Sequence, residues 1–337
     1  MMRMPSNTAI LLLAHGTPDK PEEVPEYLRL VTGGRELPEP VVAEIRSRYV
    51  QIGRSPLTGI TLRQAAALER QMQLPVFVGM RNWHPFIAGV VEKMADEGVT
   101  NAVAICMAPQ DSRTSVGLYR RAVLEAAAGR IEIDFVDSWH DHQALIAAFA
   151  EKLREALSRA QRETSAERKT KASPVVIFTA HSVPARTVAP DASDAASDAA
   201  SGAGDRGGDP YAQQVRETAA LVAKAVPELP AGKIRFAFQS QGASGGPWLG
   251  PTVEETLTQL AARAEQHVVI QPIGFVCDHV EVLYDIDIAF QRLAATLGMR
   301  MWRAESLNES SALIQALADI ATRRLPLSQS ARVRKDG

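Results

Sequence analysis

The segment from His267 to Asp287 reads H-V-V-I-Q-P-I-G-F-V-C-D-H-V-E-V-L-Y-D-I-D, and its pattern is that of one strand followed by one helix. The apolar first part ends abruptly in acidic and imidazole side chains: Asp278, His279, Glu281, Asp285 and Asp287. If these acids begin an α-helix, successive residues turn by about 100°. Asp278, Glu281 and Asp285 then share one face, so the segment predicts a β–α unit with an acidic row at its junction.

The acidic row has two interpretations. Like charges three and four residues apart on a helix repel, so the row makes sense if a cation or a moving proton uses it. Alternatively the acids cap the helix: Asp278 accepts backbone N–H groups and Glu281 completes a capping box. Capping leaves the continued acidity at Asp285 and Asp287 unexplained. Both interpretations stay open here, and the row needs a partner elsewhere in the chain.

Short apolar runs alternate with longer amphipathic stretches along the whole chain. The predicted strands are Ala9–Ala14, Val76–Gly79, Ala102–Met107, Ile131–Val136, Val175–Ala180, Ile234–Phe238, Val268–Ile273 and Arg300–Arg303. Stretches that predict helices include Pro85–Glu97, Ser115–Ala128, Gln143–Arg162, Ala212–Val226, Val253–Ala264 and Val280–Leu297. This alternation predicts an α/β fold of βαβ units, with parallel sheets that carry helices on both faces.

A length of 337 residues is enough for two domains, each with its own core. The charged stretch Gln161–Lys171 is typical of a helix end and a linker. We therefore expect one domain over residues 1–165 and a second over residues 166–325, with the last helix packing back on the first domain. The low-complexity segment Ala189–Gly208 predicts a flexible loop, either an inert insertion or a mobile flap. Residues 326–337 predict a frayed tail.

Composition argues against several classes of function. A net charge of −2 provides no basic field for nucleic acid, and an aromatic content of 5% disfavours a base-stacking surface. Cys106 and Cys277 are isolated in sequence, which excludes a C-x-x-C metal motif and fits a reducing cytoplasm. No apolar run approaches about 18 residues, and the N-terminus lacks a signal-peptide pattern. We expect a soluble, cytoplasmic monomer without a transmembrane segment.

Two histidines follow strands in similar sequences. The first strand continues into I-L-L-L-A-H-G-T-P with His15, and the fifth into V-I-F-T-A-H-S-V-P with His181. Ligands of open α/β sheets bind at the carboxyl ends of strands, so two such halves would bring both histidines to one cleft. Imidazole and carboxylate suit a divalent first-row metal, and histidine exchanges protons near neutral pH. A single histidine at a strand end is as often structural.

Further motifs occur in order along nearly the whole chain. In the N-terminal half they are H-G-T-P, R-Y-V-Q-I-G-R-S-P-L, G-M-R-N-W-H-P and A-P-Q-D-S-R-T-S-V. In the C-terminal half they are F-T-A-H-S-V-P, D-P-Y, F-Q-S, P-W-L-G-P, G-F-V-C-D-H-V-E-V-L-Y-D-I-D and A-E-S-L-N. Each motif alone is weak, but the ordered set is specific. The chain resembles the ferrochelatase family, whose members insert ferrous iron into a porphyrin.

The resemblance implies the chelatase fold: two Rossmann-like domains with parallel sheets and a porphyrin cleft between them. By motif match, His181 and Glu281 are the catalytic pair and the metal ligands, and Asp278, Asp285 and Asp287 form a supporting acidic path. The implied substrate-binding residues are His15, Arg48, Ser55, Gln64, Arg81, Tyr119, Trp248 and Phe275. Arg35 is a further candidate for contact with the substrate propionates.

The resemblance also implies a mechanism in which His181 accepts a pyrrole proton and Glu281 relays protons or guides the metal. Fe²⁺ is then a substrate, and we expect no tightly bound cofactor. No cysteine follows Leu325, so we expect no iron–sulfur cluster. The chain departs from some relatives at three positions. His15 stands where others have an iron-ligating Tyr, and Gln110 and Ala289 replace a His and an acid, which argues against a second metal site.

Two alternatives to ferrochelatase activity remain. One is a tetrapyrrole- or haem-binding protein without chelation, which would use His15 or His181 as an axial ligand. The other is a related chelatase for cobalt or nickel, although P-W-L-G-P and D-H-V-E favour the iron enzyme. The porphyrin is open between coproporphyrin III and protoporphyrin IX, and His15 tilts the expectation weakly towards coproporphyrin III.

Overall fold

The computed structural model describes residues 7–168, 173–188, 208–241 and 246–325, and these form two parallel sheets of four strands each. The first sheet has the order β2-β1-β3-β4 and comprises β1 (Thr8–Ala14), β2 (Val76–Met80), β3 (Asn101–Cys106) and β4 (Glu132–Val136). The second has the order β6-β5-β7-β8 and comprises β5 (Val175–His181), β6 (Ile234–Gln239), β7 (His267–Pro272) and β8 (Arg300–Arg303). All eight predicted strands are confirmed.

Helices connect the strands as a doubly covered α/β fold requires. Those of the first half are α1 (Val24–Val31), α2 (Glu39–Ile52), α3 (Leu57–Met72), α4 (Ile87–Asp96), α5 (Val116–Ala127) and α6 (Gln143–Arg168). Those of the second half are α7 (Tyr211–Ala225), α8 (Val253–Ala262), a π-helix (Glu281–Phe290) continued by α9 (Gln291–Thr296), and α10 (Ser311–Arg324). The predicted loop up to residue 207 and the predicted tail lie outside the described residues.

Alternation along each strand gives every sheet two apolar faces. In β1, Ile10 and Leu12 join one core cluster, while Ala9, Leu11 and Leu13 join another with α4 and α5. Successive strand residues point to opposite faces, and parallel sheets are buried on both. The larger cluster is continuous between the two sheets and includes side chains from α3, α6, α7 and α10. The inner faces of both sheets therefore share one core.

Helices at the junction pack across the two halves. Helix α6 continues past residue 165 and packs against α7, β7 and β8. Helix α10 packs against α3 and β3 of the first half as well as against α6. Polar contacts add to this packing, since Arg63 pairs with Glu309 and Gln71 donates to Gln315 at 2.8 Å. The carboxyl ends of the two sheets are consequently held at a defined separation.

No helix within the described ranges combines the length and the apolar character that crossing a lipid bilayer demands.

Candidate active site

A cavity of about 370 Å³ lies where the carboxyl ends of the two sheets meet. Residues that follow β1 and β3 form one wall, and residues that follow β5 and β7 form the other. The sequence-predicted site residues on its lining are His15, Arg81, Tyr119, His181, Trp248, Phe275 and Glu281. The two histidines of the A-H-x-x-P repeat thus reach the same cavity.

His181 and Glu281 form a close pair on the second wall. Nε2 of His181 lies 3.3 Å from Oε1 of Glu281, and each side chain is 34% exposed. Nδ1 of His181 donates a hydrogen bond to the carbonyl oxygen of Ser182. That bond orients the imidazole and leaves Nε2 for Glu281 or for a ligand in the cavity. The pair therefore has the geometry to share a proton or to hold a metal ion.

The two groups stabilise each other's charged form. Burial alone would lower the pKa of His181, but the charge and hydrogen bond of Glu281, the Ser182 carbonyl and the charge of Asp285 together shift it upward. Burial alone would raise the pKa of Glu281, and the nearby imidazole lowers it instead. Below the raised pKa of His181 the two groups form an imidazolium–carboxylate pair, and above it the imidazole is neutral and can accept a proton.

The helix that begins at Glu281 differs from the expected α-helix. Residues Glu281–Phe290 form a π-helix, whose i→i+5 hydrogen bonds are rare and frequently found at functional sites. No capping bond from the N-cap side chain is found among the described residues, and the Asp278 carboxylate binds Ser306 and Asn308, so the capping interpretation is wrong. Instead Nδ1 of His279 accepts the backbone N–H of Glu281 at 3.1 Å, and the His279 ring packs edge-on against Phe275. Burial lowers the pKa of His279, which keeps it a neutral acceptor.

The carboxylates of the acidic row have different partners, and two of them share Arg303. Asp278 accepts hydrogen bonds from Ser306 at 2.7 Å and from Asn308 at 2.9 Å, and its Oδ1 lies 3.3 Å from Nη1 of Arg303. Asp287 accepts two bonds from the same guanidinium, at 2.7 and 2.9 Å. Neither carboxylate lines the cavity. Both therefore serve the structure around Arg303 rather than a continuous path to the cavity.

Asp285 remains near the pair formed by His181 and Glu281. Ser240 donates to its carboxylate, and Nη1 of Arg48 lies 3.6 Å away. Burial, together with the charge of Glu281, raises the pKa of Asp285 to about 6. Of the predicted acidic path, Asp285 is thus the member coupled electrostatically to Glu281.

We expect Arg303→Leu to lower the free energy of unfolding by about 2–3 kcal/mol, because Asp278 and Asp287 lose their charged hydrogen-bond donor. Urea denaturation at neutral pH measures the change. Arg324→Leu is the matched control: it breaks a pair with Asp134 in which both side chains are more than 40% exposed, so its cost is below about 1 kcal/mol. Equal effects of the two substitutions would contradict a structural role for Arg303.

Several predicted substrate contacts lie away from the cavity lining. The Arg48 guanidinium stacks over Tyr284, 5.2 Å from the ring centroid, and Gln64 donates to the carbonyl of Asn308 at 2.7 Å. Ser55 is buried just before α3, and Arg35 is exposed. Arg48 and Gln64 differ from the expectation because their side chains are bound to other parts of the protein. Their contact with substrate stays a prediction.

His15 lies on the first wall as a neutral imidazole. Its Nε2 is 2.9 Å from the Tyr27 hydroxyl, and the Asn82 amide lies within 3.2 Å of both ring nitrogens. Burial, with a further contribution from Arg81, lowers the pKa of His15 to about 3. Asn82 belongs to the G-M-R-N-W-H-P motif, whereas no sequence signal pointed to Tyr27. A neutral imidazole is the form that can bind a metal.

Arg81 and Tyr119 form a second feature of the first wall. The Arg81 guanidinium carbon lies 5.0 Å from the centroid of the Tyr119 ring, so the ring stabilises the positive charge of Arg81. Its Nε and Nη1 atoms are buried without a hydrogen-bond partner among the described residues. Buried donors of this kind are costly unless a ligand satisfies them.

A family model described as Ferrochelatase matches residues 7–325. The chain belongs to the ferrochelatase family. A ferrochelatase from Acidobacterium capsulatum is 52% identical over 319 residues, covering 94% of each chain. A ferrochelatase from Thermus thermophilus is 36% identical and covers 94% of this chain and 99% of its own. A coproporphyrin III ferrochelatase from Geobacillus sp. is 34% identical and covers 94% and 98%. The predicted enzyme class, a porphyrin metal chelatase, is confirmed.

Solved structures show the same fold. SirB from Bacillus subtilis with Fe³⁺ superposes with a TM-score of 0.52 at 12% identity, covering 97% of this chain and 98% of SirB. The sirohydrochlorin chelatase SirB from Bacillus subtilis subspecies spizizenii in complex with cobalt gives a TM-score of 0.54 at 11% identity, covering 95% of each. The likeness concerns the fold, and it confirms the predicted chelatase architecture for this ferrochelatase.

Proposed function

We propose that this ferrochelatase inserts Fe²⁺ into a porphyrin bound in the cavity, with His181 as the pyrrole-proton acceptor and Glu281 as the proton relay or metal guide. The observation that supports this proposal most directly is that Nε2 of His181 and Oε1 of Glu281 lie 3.3 Å apart on the lining of the cavity. Insertion must remove two pyrrole protons and strip water from the metal. A neutral imidazole beside a carboxylate provides both a base and two donor atoms suited to ferrous iron.

Both walls of the cavity support the binding of the flat macrocycle. Tyr119, Trp248 and Phe275 offer apolar surface on the cavity lining. Arg81 presents donors that find no partner in the described part of the chain and that a substrate carboxylate would satisfy. Within the described residues, no group of three or more potential ligand side chains forms a closed metal site. Two protein donors leave room for the porphyrin nitrogens to complete the coordination of the iron. In this proposal His15 faces the other side of the macrocycle.

The test is an anaerobic assay of the purified protein with excess Fe²⁺ and either coproporphyrin III or protoporphyrin IX. Metalloporphyrin should form well beyond one equivalent per protein, as read from its absorption spectrum. Formation of a single equivalent at most would favour a tetrapyrrole-binding protein instead. Insertion of Co²⁺ or Ni²⁺ without Fe²⁺ would favour the related chelatases. The ratio of the two turnover numbers identifies the preferred porphyrin.

Glu281→Gln should lower kcat by about 10–100-fold, because the relay and the countercharge are lost together, while porphyrin affinity changes little. The same substitution should also change the pH dependence of kcat. A neutral imidazole accepts the proton, so kcat rises with pH through the pKa of His181, which Glu281 raises. Without that carboxylate the rise moves to lower pH. Steady-state rates between pH 5 and 9 and porphyrin fluorescence titrations measure both effects. An equal loss of affinity and rate would point to a binding role for Glu281.

We also propose that the protein is a cytoplasmic monomer that needs no tightly bound cofactor. Cys106 and Cys277 are both free and buried, which supports a reducing compartment. Light scattering of the purified protein and metal analysis of the protein as isolated test the oligomeric state and the cofactor content. A stoichiometric metal content would contradict the second statement.

A further inference from the structure

On the side of β5 that faces β7, the backbone of His181 pairs with no strand residue that the structure describes. Pairing of β5 with β7 ends at Thr179 and Pro272, two residues before His181, and proline has no N–H to extend the ladder. The carbonyl oxygen of His181 is instead bound by the side chain of Tyr211, whose hydroxyl donates to it at 3.0 Å. Tyr211 is 8% exposed and lines the cavity. The end of the strand that carries His181 is therefore held by a side chain from α7.

Tyr211 is in turn tied to the opposite wall. Its backbone N–H donates to Oδ1 of Asp209 at 3.0 Å. Oδ2 of Asp209 accepts the backbone N–H of Arg113 at 3.0 Å and the hydroxyl of Ser112 at 3.3 Å. Ser112 lines the cavity in the segment between β3 and α5 of the first half. A chain of buried and partly buried hydrogen bonds thus runs from the first wall through Asp209 and Tyr211 to His181.

The same face of α7 makes two further bonds to that segment. Oε1 of Gln214 accepts the backbone N–H of Asp111 at 2.7 Å, and Nε2 of Gln110 donates to Thr218 at 3.2 Å. Gln214 and Thr218 are four residues apart and so lie on one helix face. With Asp209 they fix α7 against residues 110–113 at several points. The position of Tyr211 is consequently set by the first wall as well as by the packing of α7 against the sheet that carries His181.

We propose that Tyr211 is a positioning residue for His181, and that Asp209 couples it to the opposite wall of the cleft. The inference rests on the proposed role of His181 and concerns how that residue is aligned. The hydroxyl keeps the end of β5 at the distance from the first wall at which the imidazole meets both Glu281 and the bound macrocycle. The D-P-Y motif at residues 209–211 thereby has a physical role. A misplacement of about 1 Å at a reacting group costs up to about 100-fold in rate.

Tyr211→Phe removes only the hydroxyl. We expect kcat to fall about 5- to 10-fold, the equivalent of one hydrogen bond, with KM for the porphyrin changed less than about twofold. Thr164→Val is the matched control, since Thr164 also carries a buried hydroxyl that donates to a backbone carbonyl, that of Ala160 at 2.8 Å, but does not line the cavity. It should leave kcat unchanged. Thermal unfolding of both variants shows whether the fold is equally intact.

A double-mutant cycle separates positioning from a general structural effect. In the His181→Ala background, single-turnover rates with and without Tyr211→Phe should be equal, because the hydroxyl acts through His181. The same 5- to 10-fold loss in both backgrounds, or no loss in either, would overturn the proposal. Absence of turnover in the unaltered protein would instead overturn the proposed function. The two failures are therefore distinguishable.

Discussion

Replacing His181 by alanine should lower the kcat for iron insertion by about 10²–10⁴-fold, the range typical of a lost general base. The imidazole faces the cavity and not the core, so the protein should still fold without it. The other lining residues remain in place, so the porphyrin affinity should persist. Glu281 would then lose the imidazole that lowers its pKa. A buried carboxylate without its partner has a higher pKa, so Glu281 would be protonated over a wider pH range and would be less available to replace His181 as the acceptor.

Stopped-flow measurement of metalloporphyrin formation, with circular dichroism and porphyrin titration on the same sample, measures this effect. His84→Ala is the control, because His84 is exposed and does not line the cavity. It should retain the original kcat. Added imidazole should restore part of the His181→Ala activity, since the cavity is left with room for the ring. Near-normal insertion by His181→Ala would remove this residue from the mechanism.

Gly16→Ala should destabilise the protein by about 2–5 kcal/mol, the largest expected effect on folding. Gly16 follows His15 and has a φ of 78°, a region that costs other residues about 1–2 kcal/mol. A Cβ atom would lie 2.9 Å from both Cβ of Met80 and the backbone nitrogen of Trp83. Overpacking of this kind adds about 1–3 kcal/mol, and a backbone atom cannot move aside as a flexible side chain can.

Gly33→Ala separates the cost of the positive φ from the cost of the close contacts that a Cβ would make. Gly33 has a φ of 66°, but a Cβ there would meet nothing within 4 Å, so only the conformational cost of about 1–2 kcal/mol applies. Guanidinium denaturation of both variants gives the difference between them. Because Gly16 adjoins His15, its substitution should also lower activity in the molecules that remain folded. Equal destabilisation by the two substitutions would show that the close contacts of Gly16 are not limiting.

The fold could be predicted because its signals are local. Apolar runs such as Val175–Ala180 and Val268–Ile273 have the length of buried strands, and helical stretches between them force parallel pairing. The helix after β7 was located correctly, but its π form was not foreseen. A shift from i→i+4 to i→i+5 hydrogen bonds changes the spacing of apolar residues too little for the sequence pattern to predict it. His279, rather than Asp278, accepts the first N–H group of that helix.

The candidate site was predicted in part. Seven residues named from the motifs line the cavity, including the His181–Glu281 pair. The acidic row could not be resolved, because Arg303 binds Asp278 and Asp287 only after β8 pairs beside β7. Gln64 likewise meets the Asn308 carbonyl across a separation of 244 residues. Contacts of this kind depend on packing between distant elements, which no local pattern contains.

The amino-acid sequence by itself determined the α/β class, the order of strands and helices, and membership of the ferrochelatase family, because these follow from periodicity and from motifs of adjacent residues. The tertiary structure decided which charges have partners. It separated Asp285, coupled to Glu281, from the carboxylates neutralised by Arg303, and it joined Tyr211 to the backbone of His181. The physical reason is that desolvation and pairing at short range control a side chain's chemistry, and both are set only when remote segments pack together.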